Sequence, residues 1–225
     1  MVSMAHLKFM LFYIKRLYVS VKYVQKIMRL LGIAFVTIKK FKHYTNVKVK
    51  GVFNNILNQN FVASQPNEKW VSDITYIHTK QHRWCYLSSI IDLYSRKVIA
   101  HQFSKNMSSQ LVIDTLNQAK TTRKISQNLI IRTDLGTQYL SKEVRNWLLL
   151  NKVNHSFSRK GYPYDNSVIE SFHAALKKEE VYLKHYDSFE EAKASIFQYI
   201  EGFYNQNQIH STLHYLTPNE FEKAN

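Results

Sequence analysis

The sequence predicts a mixed α/β fold in which helices pack against one sheet. Three consecutive segments rich in β-branched and aromatic residues occupy 69–79, 84–95 and 96–104, with only short polar breaks between them. Helical and strand patterns then alternate, and only helical patterns follow residue 165. Three antiparallel strands followed by alternating helices and strands are typical of a mixed sheet with helices on its faces.

The first 67 residues differ from the rest of the chain in charge. They contain eleven Lys or Arg and no acidic residue, whereas the remainder contains twenty basic and sixteen acidic residues. The net charge of +15 is therefore concentrated in this part. Such a basic segment is typical of a chain that binds nucleic acid, although solubility or an anionic membrane surface would also explain it.

Residues 20–32 are predicted to form a helix within this basic part. Ser20 can cap its start, Gly32 fits its end, and apolar residues recur between them at helical spacing. Another helical pattern covers about 5–18, so we expect a basic helical element over 1–45 and a linker over 46–67. The candidates for contacts with DNA phosphates are Lys22, Lys26, Arg29, Lys39 and Lys40. A helix that bears lysines can also be merely a solvated face.

Cysteine content and hydropathy narrow the class further. The single cysteine, Cys85, excludes an internal disulfide and a Cys-rich zinc module, and it suits a reducing cytoplasm. No apolar run approaches the roughly 20 residues that a membrane helix needs, and the apolar segment 9–14 lacks a small-residue cleavage site. We therefore expect a cytoplasmic protein with no membrane partner.

The elements after residue 105 are predicted from caps and periodicity. We expect helices over 108–121 and from Ser141 to Leu150, strands over 128–133 and within 151–158, and a helix over 165–183. The sequences "SFEE" at 188–191 and "TPNE" at 217–220 are capping boxes, the first opening a helix that reaches about residue 205. We place one α/β domain at 68–185 and a helical tail at 186–225.

Three acidic residues occupy positions that such a fold would bring together. Asp73 lies in the middle of a strand, Asp134 follows a strand, and Glu170 lies in the first turn of a helix. Converging carboxylates repel one another unless cations neutralise them. Oxygen ligands without Cys or clustered His select hard ions, so the sequence indicates Mg²⁺ or Mn²⁺.

Each acid also has an ordinary structural explanation. Asp73 could accept hydrogen bonds from the neighbouring hydroxyl groups of Ser72 or Thr75, and Asp134 could form an Asx turn with Gly136. Glu170 stands three residues after a serine, so it could be the glutamate of a capping box. Each of these explanations is adequate for a single acid. The three acids taken together, in this order of strands and helix, favour a shared site.

The motifs around these acids resemble those of a known family. Sixty residues separate Asp73 from Asp134 and thirty-five separate Asp134 from Glu170, within the sequences "KWVSDITYI", "TDLGTQYLS" and "YDNSVIESFHAALKKEEVY". Together with "YNQNQIHSTLHYLTPNEF" in the tail, they resemble insertion-sequence transposases of the two-reading-frame group related to retroviral integrases. The similarity is to the second-frame product, often called OrfB, and covers roughly residues 20–221.

This resemblance implies an RNase H-like core with a five-stranded sheet and a small amino-terminal helical element that binds DNA. It implies that Asp73, Asp134 and Glu170 are the catalytic residues and the ligands of two metal ions. It also implies that Lys177, which Lys178 follows, contacts the DNA backbone. The expected activity is cleavage and joining of transposon DNA ends by phosphoryl transfer. Expected partners are the terminal repeats, target DNA, further copies of the chain and a first-frame (OrfA) protein.

The chain departs from the usual family pattern at some positions near the acids. Arg132, Thr133, Leu135, His173 and Gln208 stand where relatives commonly have other residues, and none of these changes removes a carboxylate. Two alternatives therefore accompany the transposase interpretation. One is an inactive or decayed DNA-binding protein of such an element, and the other is an RNase H-like nuclease without strand transfer.

Overall fold

The computed structural model describes residues 20–32, 57, 61–158 and 166–224. The helical pattern predicted over 5–18 and the candidate DNA contacts Lys39 and Lys40 lie outside these residues.

The core of the protein is one mixed sheet of five strands. The strands are β1 (Lys69–Thr79), β2 (Arg83–Asp92), β3 (Val98–Ser104), β4 (Ile130–Thr133) and β5 (Asn154–Phe157). Their order is β3-β2-β1-β4-β5. β1, β2 and β3 pair in antiparallel fashion, β4 runs parallel to β1, and β5 runs parallel to β4. The predicted mixed sheet is therefore confirmed.

Seven α-helices lie in the described part of the chain. They are α1 (Val21–Leu30), α2 (Ser109–Thr122), α3 (Lys142–Leu150), α4 (Ser167–Glu179), α5 (Phe189–Phe197), α6 (Asn205–Asn207) and α7 (Pro218–Ala224). Short 3₁₀ helices occupy Val181–Leu183 and Ser211–Leu213, and a π-helix occupies Gln198–Tyr204. Serine side chains cap α1, α2, α3 and α5 by accepting a hydrogen bond from the amide three residues later. No helix in the described ranges is long and apolar enough to cross a membrane.

Two helical predictions differ from the structure in detail. The helix expected over 165–183 ends at Glu179, because the buried carboxylate of Glu180 turns inward and accepts hydrogen bonds from Tyr186 and Ser195. At the start of α5, the Glu191 carboxylate accepts from the amide of Asp187, so only the serine half of the predicted capping box forms. Thr217 and Glu220 form both halves of theirs.

Each face of the sheet buries a separate apolar cluster. The face that we call the α4 face carries Val71 and is covered by α4, α5 and the π-helix, with Leu57 and Phe61 from the preceding segment packed against it. The opposite face, the α2 face, carries Trp70 and is covered by α2 and α3. Because neighbouring residues of a strand point to opposite faces, the parity of a position decides which layer its side chain enters.

The helical tail is fastened to the turn between β2 and β3 by polar contacts. The Glu222 carboxylate accepts hydrogen bonds from Ser95 Oγ at 2.7 Å and from Arg123 Nη2 at 2.7 and 2.9 Å, and Lys97 Nζ lies 3.3 Å away. Burial alone would raise the pKa of Glu222, but these hydrogen bonds and positive charges lower it below its usual value. Asn205 adds hydrogen bonds to the amide and carbonyl of Val98.

We expect Glu222→Gln to lower the free energy of unfolding by roughly 2 kcal/mol, because the partly buried cations Arg123 and Lys97 would lose their counter-charge. Urea denaturation measures this difference. Glu190→Gln, at an exposed position of α5, is the control and should change stability by less than about 0.5 kcal/mol. Equal midpoints for the two variants would show that the Glu222 cluster does not stabilise the fold.

Candidate active site

The register between β1 and β4 places two of the predicted carboxylates side by side. In this parallel pair Lys69 lies opposite Ile130, and Val71 lies opposite Arg132. Asp73 lies two residues beyond Val71, and Asp134 lies two residues beyond Arg132, just after β4 ends. Continuation of the same register therefore brings the two aspartates side by side. Asp73 has the parity of Val71, and Asp134 has the parity of Arg132, the residue opposite Val71, so both carboxylates are directed to the α4 face.

Asp73 is held by its own strand and by α4. Its Oδ1 accepts a hydrogen bond from the amide of Ile74 at 2.8 Å, and its Oδ2 lies 3.5 Å from His173 Nδ1. The hydroxyl of Ser72, an alternative donor, is instead hydrogen-bonded to Tyr139 at 3.0 Å on the α2 face. Asp73 keeps 21% of its side-chain surface exposed, so it remains accessible to a ligand.

Asp134 forms the predicted Asx turn. Its Oδ1 accepts a hydrogen bond from the amide of Gly136 at 2.9 Å. Burial, together with the negative charge of Asp73, nevertheless raises the pKa of Asp134 from 3.8 to about 6. The Asx turn therefore orients Asp134 without neutralising it, and the two neighbouring carboxylates concentrate negative charge that a cation would stabilise.

Glu170 lies in the first turn of α4 with its side chain exposed. The N-cap of this helix is Asn166 and not Ser167, so the alternative of a capping box between Ser167 and Glu170 is wrong. His173, one turn further along α4, contacts Asp73. The face of α4 that carries Glu170 and His173 is therefore directed to the two strand carboxylates.

The three carboxylates do not form a closed metal cage by themselves. Across 20–32, 61–158 and 166–224, no three His, Cys, Asp or Glu side chains converge closely enough to hold an ion. Asp73 and Asp134 are adjacent, and Glu170 lies on the helix that packs over them. All three supply oxygen donors, which is the set that suits a hard divalent cation.

Lys177 extends the same face of α4 by another turn. It is half-buried, and burial lowers its pKa below the usual value although the negative charge of Asp73 opposes this shift. Lys178 is exposed on the neighbouring side of the helix.

The other predicted DNA contacts lie on α1. Lys22, Lys26 and Arg29 are exposed, whereas Val24 and Met28 are buried. Positions 22, 26 and 29 share one face of the helix. The structure thus presents a basic stripe on the side of α1 opposite its apolar contacts.

The sequence analysis did not predict the contacts of His155 with Thr133, at the end of β4, and with Phe157, at the end of β5. Thr133 Oγ1 lies 2.9 Å from His155 Nε2 on β5, and the imidazole packs on Phe157 with ring centroids 3.9 Å apart. Burial lowers the pKa of His155 from 6.5 to about 4, so it is neutral at pH 7. The strand pattern of residues 151–158 gave one signal for this contact, since His155 and Phe157 share a parity.

Two residues that depart from the usual family pattern are built into this region. Arg132 is completely buried, with its guanidinium carbon 5.7 Å from the ring centroid of Phe61. Thr133 makes the contact with His155 described above. Both of these residues therefore contact other side chains, and both lie immediately before Asp134 in the sequence.

Comparison with known proteins identifies the class. Two family models, each described as an integrase core domain, match residues 63–163 and 151–218. The chain is 40% identical over 207 residues to the transposase of insertion sequence element IS904 from Lactococcus lactis, covering 92% of this chain and 81% of that protein. It is 42% identical over 174 residues to transposase InsF of IS3A from Escherichia coli K12, covering 77% of this chain and 60% of InsF.

Solved structures with the same fold come from retroviral integrases. A simian T-cell lymphotropic virus intasome matches with a TM-score of 0.58 and 18% identity, over 80% of this chain and 60% of that chain. The HTLV-2 integrase catalytic core domain in complex with magnesium matches with a TM-score of 0.56 and 18% identity, over 72% of this chain and 99% of that chain. At this identity the likeness concerns the fold.

The order and directions of the five strands, together with the matches to integrase core domains, define an integrase-type core with the RNase H-like fold. The chain belongs to the family of insertion-sequence transposases that includes those of IS904 and IS3. The predicted fold and the predicted DDE-type transposase class are thereby confirmed.

We expect Gly136→Ala to lower DNA joining activity roughly a hundredfold, because misplacing a catalytic group by about 1 Å has effects of this size. A Cβ at Gly136 would lie 2.9 Å from Asp134 Oδ1 and would push that carboxylate aside. Stability should change by less than about 1 kcal/mol, since the close contacts are with the side chains of Asp134 and Gln138 and not with backbone. Activity and urea denaturation would be measured together.

Gly202→Ala is the matched control for Gly136→Ala. Its Cβ would meet Gln198 Cγ at 3.8 Å, an ordinary contact far along the chain from the carboxylates. Activity should remain at the wild-type level. If Gly136→Ala is as active as Gly202→Ala, the close approach of residue 136 to Asp134 does not control the site.

His155 is expected to make the protein acid-sensitive. The unfolded state gains a proton on this residue below about pH 6.5, whereas the folded state resists protonation until about pH 4. The contribution to the free energy of unfolding should therefore fall by roughly 3 kcal/mol between these values. His155→Gln should reduce this pH dependence in urea denaturation, and His185→Gln, at an exposed position, should retain it. Identical slopes for the two variants would contradict the prediction.

Proposed function

We propose that Asp73, Asp134 and Glu170 bind divalent cations and that the protein uses them to cleave transposon DNA ends and join them to target DNA. The observation that carries this proposal is the adjacency of Asp73 and Asp134, set by the pairing of β1 with β4. The raised pKa of Asp134 reflects their mutual repulsion together with burial. Family membership supports the same reaction.

Magnesium, or manganese, is the proposed cofactor, with two ions expected. The oxygen-only donor set fits these cations, and the HTLV-2 catalytic core of similar fold was solved in complex with magnesium. When bound, such ions neutralise the charge of the reacting phosphodiester and activate the attacking hydroxyl group.

The protein's own residues have separable tasks in this proposal. The amides of Ile74 and Gly136 orient the two strand carboxylates, and His173 limits the rotation of Asp73. Asp134 must be ionised to act as a ligand, and its pKa of about 6 leaves it largely ionised at pH 7. Glu170 lies on α4, so the angle at which that helix packs on β1 would set the position of the third carboxylate ligand.

DNA positioning is assigned to basic residues at two places. Lys177 lies on the face of α4 that is directed to the carboxylates, and Lys178 follows it on the neighbouring side of the helix. Both would contact the DNA backbone near the reacting phosphodiester. Lys22, Lys26 and Arg29 on α1, with Lys39 and Lys40 beyond it, would add phosphate contacts whose affinity falls steeply with salt. We assign 1–45 to this DNA-binding element, 46–67 to the linker, 68–185 to the catalytic core and 186–225 to the tail.

The partners follow from the reaction. The substrates would be the terminal repeats of the element and a target DNA, both in the cytoplasm. Because two DNA ends must be joined in concert, we propose that several copies of the chain assemble on DNA, with a first-frame (OrfA) protein as a further partner. The part of the chain that aligns with InsF covers 60% of the length of InsF.

We expect Asp73→Asn, Asp134→Asn and Glu170→Gln each to lower joining of pre-cut DNA ends to a plasmid by at least about a thousandfold, since each removes a metal ligand. Chelation should abolish the wild-type reaction, and Mg²⁺ or Mn²⁺ should restore it. Binding of the DNA ends should stay within about twofold of wild type. Asp114→Asn and Glu190→Gln change exposed acids outside the site and are the controls.

Three results of this assay would decide between the activities. Joined products that depend on all three carboxylates support the transposase. Metal-dependent cleavage without joining would replace it with an RNase H-like nuclease. Binding with no product in either metal, even after addition of a first-frame protein, would show that the protein is an inactive DNA-binding member of the family.

A further inference from the structure

The strand β2 carries a buried hydroxyl group beside Asp73. Ser89 on β2 is paired with Asp73 on β1, and on its other side it is paired with His101 on β3. Directly opposite residues of an antiparallel pair point to the same face of a sheet, with their Cβ atoms about 5 Å apart. Ser89 therefore lies on the α4 face, in the same row of the sheet as Asp73.

Packing alone does not explain a serine at this position. In the next row of the same face, Val71, Ile91 and Val98 all belong to the buried apolar cluster. Ser89 has no exposed surface, and its Oγ makes no hydrogen bond within the part of the chain that the structure describes. Because a buried hydroxyl group without a partner destabilises a fold, this group is expected to have a partner when the protein acts.

The polar neighbours of Ser89 across the strands favour Asp73 as its acceptor. On the β3 side, His101 Nε2 lies 3.1 Å from Glu201 Oε1 and is therefore engaged by that carboxylate. On the β1 side, Asp73 accepts one amide hydrogen bond from its own strand and has His173 Nδ1 at 3.5 Å from its Oδ2. An ionised carboxylate has about four lone-pair sites, so Asp73 can accept a hydroxyl group in addition.

The strand order places Ser89 and Asp134 on opposite sides of Asp73. β1 lies between β2 and β4, so Asp134 flanks Asp73 from the β4 side and Ser89 flanks it from the β2 side. A hydroxyl group that donates from the β2 side can hold the Asp73 carboxylate and leave lone pairs for a cation that Asp134 shares. Hydrogen-bond donors of this kind orient carboxylate ligands, and their removal typically costs roughly ten- to a hundredfold in metal affinity.

We propose that Ser89 is a positioning residue, which donates a hydrogen bond from its hydroxyl group to Asp73 and holds this carboxylate toward a divalent cation. Rotation of the two side chains is sufficient to form this contact, because their backbone positions are already paired. This role rests on the proposed function, since it presupposes that Asp73 binds a cation.

The test measures Mn²⁺ binding to the full chain without DNA, from the loss of the free-ion signal in electron paramagnetic resonance. We expect Ser89→Ala to weaken Mn²⁺ binding roughly tenfold, and Ser89→Thr, which retains the hydroxyl group, to stay within about threefold of wild type. Ser88→Ala is the matched control. Ser88 is equally buried on the same strand, but it lies on the α2 face near Tyr139, so its loss should leave Mn²⁺ affinity unchanged.

Two further readouts separate positioning from a structural role. In urea denaturation without metal, Ser89→Ala should be at least as stable as wild type, because it removes a buried hydroxyl group that has no partner in the described residues. A serine that merely supports the fold would give the opposite result. In the joining assay, the Mg²⁺ concentration for half-maximal rate should rise roughly tenfold for Ser89→Ala, while the rate at saturating Mg²⁺ stays within about threefold of wild type.

Equal Mn²⁺ affinity of Ser89→Ala and Ser88→Ala, with binding abolished in Asp73→Asn, would overturn the role of Ser89 and leave the metal site intact. Weak Mn²⁺ binding by a Ser89→Thr protein that is as stable as wild type would also overturn it, because the hydroxyl group would then not be the cause. If Asp73→Asn binds Mn²⁺ as tightly as wild type, the proposed function is refuted together with the role of Ser89. The two failures are therefore distinguishable.

Discussion

The parallel ladder between β1 and β4 is the constraint on which the rest of the site depends. Pairing Val71 with Arg132 leaves Asp73 and Asp134 no position except beside each other, on the face that α4 covers. A slip by one residue would send one carboxylate into the apolar layer under α2 and α3. The buried cluster of Trp70 and Ile131 on that opposite face resists such a slip, because the apolar residues on both strands would then have to exchange faces.

The carboxylates of Asp73, inside β1, and Asp134, just after β4, lie side by side. Their repulsion has an electrostatic cost that the fold compensates only in part. Single amide hydrogen bonds orient Asp73 and Asp134, and the raised pKa of Asp134 records the remaining repulsion and burial. On the adjoining helix α4, His173 and Lys177 bring cationic or hydrogen-bonding groups to the same place. Destabilisation of this kind at a catalytic site is a common compromise between stability and activity.

Contacts made by the helical tail and by the residues at the strand ends hold together the elements around the carboxylates. Glu222 and Asn205 attach the tail to the β2–β3 turn, and Glu180 ends α4 so that the chain can return across the α4 face. Arg132 and Thr133, unusual for the family, have partners in Phe61 and His155. The region before Asp134 is therefore packed as a unit, and its unusual residues are accommodated without displacing a carboxylate.

Much of the architecture could be predicted from local sequence signals. Strand alternation identified β1 with its observed bounds, and serine caps identified the starts of α1, α3 and α5, because these signals depend on near neighbours in the chain. The carboxylates were identified from the motifs around them and from their spacing along the sequence. This spacing does not give the distances between the carboxylates in the folded protein. The contact of His173 with Asp73, the end of α4 at Glu179 and the burial of Ser89 beside Asp73 could not be predicted in this way, because they depend on strand register or on contacts between residues far apart in sequence. The sequence by itself determined which residues could act and in which elements they lie. The tertiary structure decided which of them meet, because strand register and helix packing are properties of the assembled sheet.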